Sequence, residues 1–295
     1  MLVLFLFFSN CFYPKETTMP LILITNDDGI TAGGIRELVS IAQQYGEVLV
    51  VAPDGPQSAQ GHAITIERPI FVRESKALGD GIEAYECSGT PVDCVKIARS
   101  VLLKGRVPDL CLSGINHGSN AAINIIYSGT MSAAMEASLE GIPSIGFSFL
   151  NYRADADFSV CRPYVKKLTE FVLANGMKDG NLFNVNIPDL PADQIRGIKV
   201  CRQAEARWVE DYQAGQDPRG RPYYWLTGKF VNEDAREDTD ANALQNGFVS
   251  LVPSHHDLTN HAALKKLQEI ESSLQPDNVG DSSVSPTSGQ QLEQF

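Results

Sequence analysis

Basic residues are scarce in this sequence, and those that occur are scattered. Lysine and arginine together number 24 against 36 aspartates and glutamates, which gives a formal net charge of −12. Proteins that bind DNA, RNA or an anionic membrane surface normally do so through a cluster of basic side chains. Because no such cluster occurs here, we expect neither a nucleic-acid polymer nor a membrane among the partners. An acidic chain can still bind a small anion where a cation and backbone N–H groups supply local positive potential.

The motifs of several common enzyme classes are also missing. The six cysteines form no CxxC pair and no cluster with histidine, which argues against a zinc site and a disulfide scaffold. We therefore expect a reducing, cytoplasmic location. Neither a GxGxxG fingerprint nor a Walker loop occurs, and no GxSxG elbow marks a serine nucleophile. These absences argue against dinucleotide, ATP and serine-hydrolase chemistry.

No apolar run near the N-terminus is long enough to span a bilayer. Residues 2–8 are all apolar, but seven residues fall far short of the roughly 20 that a spanning helix needs. The basic start and small-residue cleavage site of a signal peptide are also missing. We expect residues 1–18 to be an unstructured leader and Met19 to be the natural start. The alternative is a secretory leader that is removed before Met19.

Between residues 19 and 190 the sequence alternates short apolar runs with helical patterns. The predicted strands cover residues 21–25, 47–52, 109–113, 144–149 and 182–187. The predicted helices between them cover residues 35–45, 91–103, 131–139 and 160–174. This alternation is typical of an α/β protein. We predict a catalytic core over residues 19–190, built on a Rossmann-like, doubly wound and mostly parallel sheet.

The pattern changes after residue 190. Strand-like segments at residues 195–201, 223–231 and 247–252 are separated by polar linkers. We predict a β-rich C-terminal extension over residues 191–275, which ends in a helix at residues 262–274 and supplies an arm for oligomerisation. Residues 276–295 are polar and have few apolar side chains, so we expect a disordered tail.

Oxygen-bearing side chains follow three of the predicted strands. Asp27 and Asp28 come directly after the first strand, Ser58 lies in the loop after the second, and Asn116 follows the strand at 109–113. Because parallel strands share one carboxyl edge, these four side chains can converge there. Two carboxylates about 4 Å apart repel by roughly 4 kcal/mol at an effective dielectric constant of 20, which invites a cation. Oxygen ligands suit Mg²⁺ or Mn²⁺, with Ca²⁺ as a further candidate. The alternative is an ordinary solvated turn.

A helix start lies close to these residues in the predicted arrangement. Tyr127, Ser128, Gly129 and Thr130 precede a helical pattern rich in small residues. The N-terminus of a helix presents free N–H groups and the positive end of the helix dipole, which together bind phosphate. Ser128 and Thr130 could otherwise be simple caps. A divalent ion beside a phosphate site suggests hydrolysis of a phosphate ester.

Five blocks of sequence together resemble the motif series of the SurE (survival protein E) family. They occur in the family's order over residues 21–150, and such a series is far more specific than any single block. Weaker similarity continues at residues 183–188, 238–240 and 247–250. The five blocks are Asn26-Asp27-Asp28-Gly29-Ile30, Ala52-Pro53-Asp54 with Ser58, Gly89-Thr90-Pro91 with Asp93-Cys94-Val95, Ser113-Gly114-Ile115-Asn116 with Gly118 and Asn120, and Tyr127-Ser128-Gly129-Thr130.

The resemblance implies a set of roles for individual residues. Members of the family are metal-dependent phosphatases that act on nucleoside 5′-monophosphates, often also on 3′-monophosphates and short polyphosphate. By position, Asp27, Asp28, Ser58 and Asn116 would bind the metal. Ser128, Gly129 and Thr130 would lie at the phosphate, and Asn120 would line the pocket. The sequence departs from the family at residues 56–59, where Pro-Gln-Ser-Ala replaces the frequent Asn-x-Ser-Gly.

The sequence and the resemblance lead to one predicted function and two alternatives. We predict a 5′-nucleotidase that uses one divalent ion, with Asp27 and Asp28 as its catalytic carboxylates and a homodimer or homotetramer as its assembly. One alternative is a catalytically silent regulator that only binds nucleotides. The other is a periplasmic phosphatase, which depends on the N-terminal leader being a secretory signal.

Overall fold

The computed structural model describes residues 19–177 and 182–274. The predicted leader and the predicted disordered tail lie outside these residues. The described chain up to His255 belongs to one compact unit, and the residues from His256 onward belong to a second, small unit. None of the helices in the described ranges has the length and apolar character needed to cross a bilayer.

The described residues form eleven strands and seven α-helices. The strands are β1 (Leu21–Thr25), β2 (Glu47–Pro53), β3 (Val72–Glu74), β4 (Glu83–Cys87), β5 (Leu110–His117), β6 (Ser144–Phe149), β7 (Leu182–Ile187), β8 (Ile198–Val200), β9 (Ala206–Gln216), β10 (Pro222–Asn232) and β11 (Val249–Ser254). The helices are α1 (Gly33–Ala42), α2 (Pro91–Ile97), α3 (Asn124–Tyr127), α4 (Gly129–Leu139), α5 (Arg162–Asn175), α6 (Asp240–Gln245) and α7 (His261–Glu269).

Nine of the strands form one mixed sheet in the order β3-β4-β2-β1-β5-β6-β7-β11-β8. The pairs from β4 across to β7 are all parallel. Only β3 against β4 and β11 against β7 are antiparallel. The predicted Rossmann-like, mostly parallel sheet is therefore confirmed. Its strand order reverses beside β1, which is where such sheets bind their ligands.

Strand β1 shows why helices cover both faces of the sheet. All five of its residues are buried, and successive side chains of a strand point to opposite faces. Ile22 and Ile24 join the larger apolar cluster, which also contains the buried side chains of α1 and α5. Leu21 and Leu23 join a second cluster with residues of α2 and α4. A strand that is apolar on both sides is stable only where helices cover both faces of its sheet.

The predicted β-rich extension contributes to two different sheets. Strands β8 and β11 complete one edge of the main sheet, where β11 pairs with β7. Strands β9 and β10 instead form a separate antiparallel hairpin, paired from Ala206 with Asn232 to Gln216 with Pro222. The main sheet thus contains strands from before and after residue 190, and the hairpin forms a second sheet of two strands.

Residues 63–71 form bends and irregular backbone, although apolar and polar residues alternate along part of this segment. After β2, strand pairing resumes only at β3, which begins at Val72. The side chains of Ile64, Ile66 and Phe71 are exposed. Side chains rather than a neighbouring strand satisfy part of this backbone, since Thr65 N donates to Asp93 Oδ1 at 3.1 Å. The segment is therefore fastened to the start of α2 as a loop.

Candidate metal and phosphate site

The turn after β1 places two adjacent carboxylates at the carboxyl edge of the sheet. Asn26 closes this turn, because its side-chain amide donates to Gly29 O at 3.0 Å and accepts from Gly29 N at 3.2 Å. Asp27, which follows, is only 5% exposed. The backbone N–H of His117 donates to Asp28 Oδ2 at 3.3 Å, which links Asp28 to the end of β5.

The surroundings of the aspartate pair oppose its negative charge. Burial and, second, the neighbouring charge of Asp28 raise the pKa of Asp27 to about 6. Burial likewise raises the pKa of Asp28 above its ordinary value, although the His117 N–H acts in the opposite direction. Two adjacent carboxylates with raised pKa values are stabilised by a cation or by a shared proton. The pair thus has the electrostatic character of a cation site.

The first turn of α4 packs directly against Asp27. Ser128 caps the helix by accepting from Met131 N at 3.0 Å, as its position in the sequence predicts. Thr130 Oγ1 donates to Asp27 Oδ1 at 2.5 Å. Gly129 permits this close approach, because a Cβ at residue 129 would lie 2.7 Å from the Cβ of Asp27. The positive end of an eleven-residue helix therefore lies beside the aspartate pair.

Asn116 lies within β5, which continues to His117 instead of ending near residue 113. The pairing of β5 with β6 shifts between Ser113 and Asn116. The Asn116 amide nitrogen lies 3.2 Å from Gly118 O and 3.5 Å from Asn120 Oδ1. Because its N–H₂ group faces these acceptors, the side-chain oxygen of Asn116 is left for another partner.

A buried amide network holds Asn120 beneath Asn116. The backbone N–H of Asn120 donates to Asn186 Oδ1 at 2.8 Å, and its side chain donates to Ser148 Oγ at 2.7 Å. Asn184 donates to Asn120 O at 2.8 Å. Strands β6 and β7 thus position Asn120, which in turn can orient the Asn116 amide.

These elements surround a cavity of about 910 Å³. Five of the eight predicted site residues line it, namely Asp27, Ser58, Asn116, Asn120 and Ser128. Asp28, Gly129 and Thr130 do not line it. The hydroxyl of Thr130 is fully buried and directed at Asp27, so a direct contact between Thr130 and phosphate stays a prediction.

Aromatic side chains form part of the cavity wall, and our sequence analysis missed them as site residues. Tyr127 and Tyr152 come from the core, whereas Trp208 and Tyr212 come from the β9–β10 hairpin. Trp208 is held by a hydrogen bond from its indole N–H to Asn124 Oδ1 at 2.7 Å. The sequence contained one indication of these residues, which was the aromatic content of the hairpin strands. That content does not show which part of the protein the aromatic side chains contact.

The donor set fits a hard divalent cation bound through oxygen. The described residues contain no group of three or more His, Cys, Asp or Glu side chains that could hold a metal. A cation here would therefore depend on the two aspartates together with the Ser58 hydroxyl and the Asn116 amide, which are oxygen donors of the kind that Mg²⁺ and Mn²⁺ accept. No lysine or arginine is among the described residues that line the cavity, so the charge of a bound phosphate would need such a cation.

Comparisons with known proteins agree with this geometry. The sequence model of the family described as "Survival protein SurE" matches residues 22–210. The chain is 57% identical over 250 residues to the 5′-nucleotidase SurE of Christiangramia forsetii, covering 84% of this chain and 95% of that protein. The chain belongs to the SurE family. A second relative, the 5′-nucleotidase SurE of Flavobacterium psychrophilum, is 55% identical over 248 residues, covering 84% and 96%.

A solved structure from the SurE family extends the similarity to the fold. The crystal structure of the SurE protein from Aquifex aeolicus superimposes with a TM-score of 0.74 at 39% sequence identity. The match covers 85% of this chain and all of that one. The resemblance inferred from the five sequence blocks is therefore confirmed. The metal and phosphate roles of individual residues stay predictions.

Proposed function

We propose that this SurE-family protein hydrolyses nucleoside 5′-monophosphates to nucleoside and phosphate in a reaction that requires Mg²⁺ or Mn²⁺. Nucleoside 3′-monophosphates and short polyphosphate are proposed as further substrates. The observation that carries the proposal is the adjacent carboxylates of Asp27 and Asp28 next to the N-terminus of α4, with Asp27 and Ser128 lining one cavity. Relatives named 5′-nucleotidase at 55–57% identity support the choice of substrate.

In the proposed mechanism, side chains hold the ion and the start of α4 binds the phosphate. Asp27, Asp28, Ser58 and Asn116 would hold the ion. When bound there, a divalent ion polarises phosphoryl oxygens and lowers the pKa of a bound water. The first turn of α4 stabilises the negative charge that develops on the phosphate. One aspartate of the pair is the candidate general acid.

The aromatic wall of the cavity supports a nucleoside as the group that carries the phosphate. Tyr127, Tyr152, Trp208 and Tyr212 line the same cavity as Asp27 and Asn116, and a nucleobase can stack on such flat side chains. Inorganic polyphosphate would make no use of them. We therefore expect nucleotides to have lower KM values than polyphosphate.

Phosphate release from a panel of nucleotides and metals tests the proposal. With AMP or GMP we expect release that requires Mg²⁺ or Mn²⁺ and stops when a chelator is added. The alternative, a catalytically silent nucleotide-binding regulator, would bind nucleotide and release no phosphate with any metal. Release that continues at full rate in the chelator would contradict the metal requirement.

We also propose a homodimer or homotetramer in the cytoplasm. The hairpin supports the assembly, because it exposes several large apolar side chains, including Tyr224 and Trp225, and exposed apolar surface is typical of interfaces. Determining the N-terminus of the protein from cells tests the location. Cleavage before Met19 would favour the periplasmic alternative.

A further inference from the structure

The loop that carries Ser58 has little regular structure of its own. Between β2 and β3 the chain forms turns and irregular segments, and Ser58 itself is exposed. An exposed loop side chain binds a ligand tightly only when contacts elsewhere in the loop hold it in place. The affinity of the site for a cation should therefore depend on what fastens this loop.

Backbone hydrogen bonds fasten the loop on both sides of Ser58. Gln57 N donates to Asp27 O at 2.7 Å, and Gly61 N donates to Tyr127 O at 3.2 Å. Further along, Thr90 Oγ1 donates to Ala63 O at 2.7 Å. These contacts join the loop to the turn after β1, to the end of α3 and to the start of α2.

The side chain of His62 adds a contact with a carboxylate to these hydrogen bonds. His62 Nε2 lies 2.9 Å from Glu136 Oε2, and Lys96 Nζ lies 2.5 Å from the other carboxylate oxygen. Glu136 is only 4% exposed. The hydrogen bond to His62 and then the contacts of Lys96 hold the pKa of Glu136 below its ordinary value, so the carboxylate is ionised at neutral pH.

The position of Glu136 gives this contact its significance. Glu136 lies on α4, the helix whose first residues contact Asp27. The His62–Glu136 contact therefore fixes the Ser58 loop to the same rigid element that faces the aspartate pair. A hydrogen bond to an ionised carboxylate is stronger than one between neutral groups, and this one is partly shielded from water.

We propose that His62, held by Glu136, is a positioning residue that sets how tightly the site binds a divalent cation by fixing the Ser58 loop. The inference rests on the proposed function, because it takes Ser58 to be a metal ligand. His62 itself does not line the cavity, so its effect on the ion would act through the loop.

Direct titration with Mn²⁺, without nucleotide, tests the inference. Electron paramagnetic resonance of free Mn²⁺ gives the Kd for the wild type, His62→Ala and His62→Gln. We expect His62→Ala to raise Kd by about tenfold, at the lower end of the loss seen when a residue that orients a metal ligand is removed. His62→Gln retains an N–H donor that can reach Glu136, so its Kd should stay within about threefold of the wild-type value.

Two controls separate positioning from general stability. Arg73→Ala breaks the ion pair between Arg73 on the edge strand β3 and Glu86 on the neighbouring β4, and it should leave Kd unchanged. Amide hydrogen exchange of residues 58–62 should become faster in His62→Ala, while exchange in β1 and β5 stays unchanged. If His62→Ala does not fold, Lys96→Met, which removes the other partner of Glu136, takes its place and should raise Kd by a smaller factor.

The outcomes distinguish this inference from the proposed function. Equal Kd values for the wild type and His62→Ala, with tight binding by both, would overturn the positioning role alone. Failure of the wild type to bind Mn²⁺ would instead contradict the proposed metal-dependent function. A raised Kd that His62→Gln does not restore would show that the imidazole acts in some other way, and it would also overturn the inference.

Discussion

Asp27 is a buried carboxylate that the folded chain, without a cation, stabilises poorly when ionised. Its pKa is raised from 3.8 to about 6, which corresponds to about 3 kcal/mol. Because the folded-state value is the higher one, this contribution favours folding at low pH and is lost as the pH rises from about 4 through 6. A cation bound beside the pair would compensate for this loss.

This electrostatic penalty leads to a prediction for Asp27→Asn. At pH 8 in a chelator, the variant should be at least as stable as the wild type, because Asn removes the charge and can still accept from Thr130. Turnover of AMP should fall by at least about a hundredfold, since even outer contacts of a metal ligand contribute 10–100-fold. Urea unfolding and phosphate release measure the two effects. Turnover near the wild-type rate would contradict the assignment of Asp27.

Glu136 has the opposite electrostatic character, and its pH dependence should show this. Its folded-state pKa is lowered by His62 and Lys96, so its stabilising contribution is present above the ordinary value of 4.5 and is lost as the pH falls below it. The wild type should therefore be more stable than Glu136→Gln at pH 7, and the difference should shrink towards pH 4. Urea unfolding of both proteins across this range is the measurement. A difference that stays constant with pH would contradict the role of the charge.

At the scale of elements, the site depends on helices that approach the sheet unusually closely. In α1, a Cβ on Gly34 would lie 2.0 Å from Ile115 O, in the strand that carries Asn116. In α4, Gly129 allows a similar approach to Asp27. Glycine lowers the helix propensity at these positions, but it permits close packing beside the site.

Adjacent glycines in α1 provide a matched test of this packing. Gly34→Ala should destabilise the protein by about 2 kcal/mol, because α1 would have to move away from β5. Gly33→Ala should stay within about 1 kcal/mol of the wild type, since its Cβ would meet only the Phe158 ring at an ordinary 3.4 Å. Thermal or urea unfolding gives both values. Equal effects at the two positions would show that close packing of α1 on β5 is not important.

Some elements could be predicted almost completely from neighbouring residues. The start of α2 is an example, because Thr90 and Asp93 form a capping box with Pro91 in the first turn, as the sequence indicates. The caps of α2 and α4 are predictable because their contacts span three residues. The end of β5 is less predictable, since its pairing with β6 decides how far it continues.

At the scale of the whole molecule, the β9–β10 hairpin is separate from the main sheet in its strand pairing. Its strands pair along their entire length with each other and with no strand of the main sheet. Most of their side chains are exposed, yet Trp208 and Tyr212 reach the cavity. The hairpin thus combines a contribution to the site with an apolar surface.

The proposed assembly gives a prediction at this scale. The wild type should have a mass of two or four times the 32.2 kDa of one chain, and the double variant Tyr224→Ser/Trp225→Ser should shift towards the monomer because the hairpin surface loses apolar area. Phe171→Ser, which removes an exposed aromatic from α5, is the control and should not shift. Sedimentation equilibrium measures all three. A monomeric wild type would contradict the proposal.

The sequence alone determined the features that depend on short-range patterns. Alternating apolar runs defined the parallel core, and turn and cap residues placed Asp27, Asp28 and Ser128 at the ends of their elements. The five ordered blocks identified the family. These features can be predicted from the sequence because each depends on residues that are close together along the chain.

Only the tertiary structure decided which distant residues meet. Trp208 contacts Asn124 across 84 positions, and Glu136 contacts His62 across 74. Strand β11 could join the main sheet only because β7 offered an unpaired edge. A periodic pattern shows which face of an element is buried, but it contains no information on the partner that covers it, since that choice depends on packing of the whole chain.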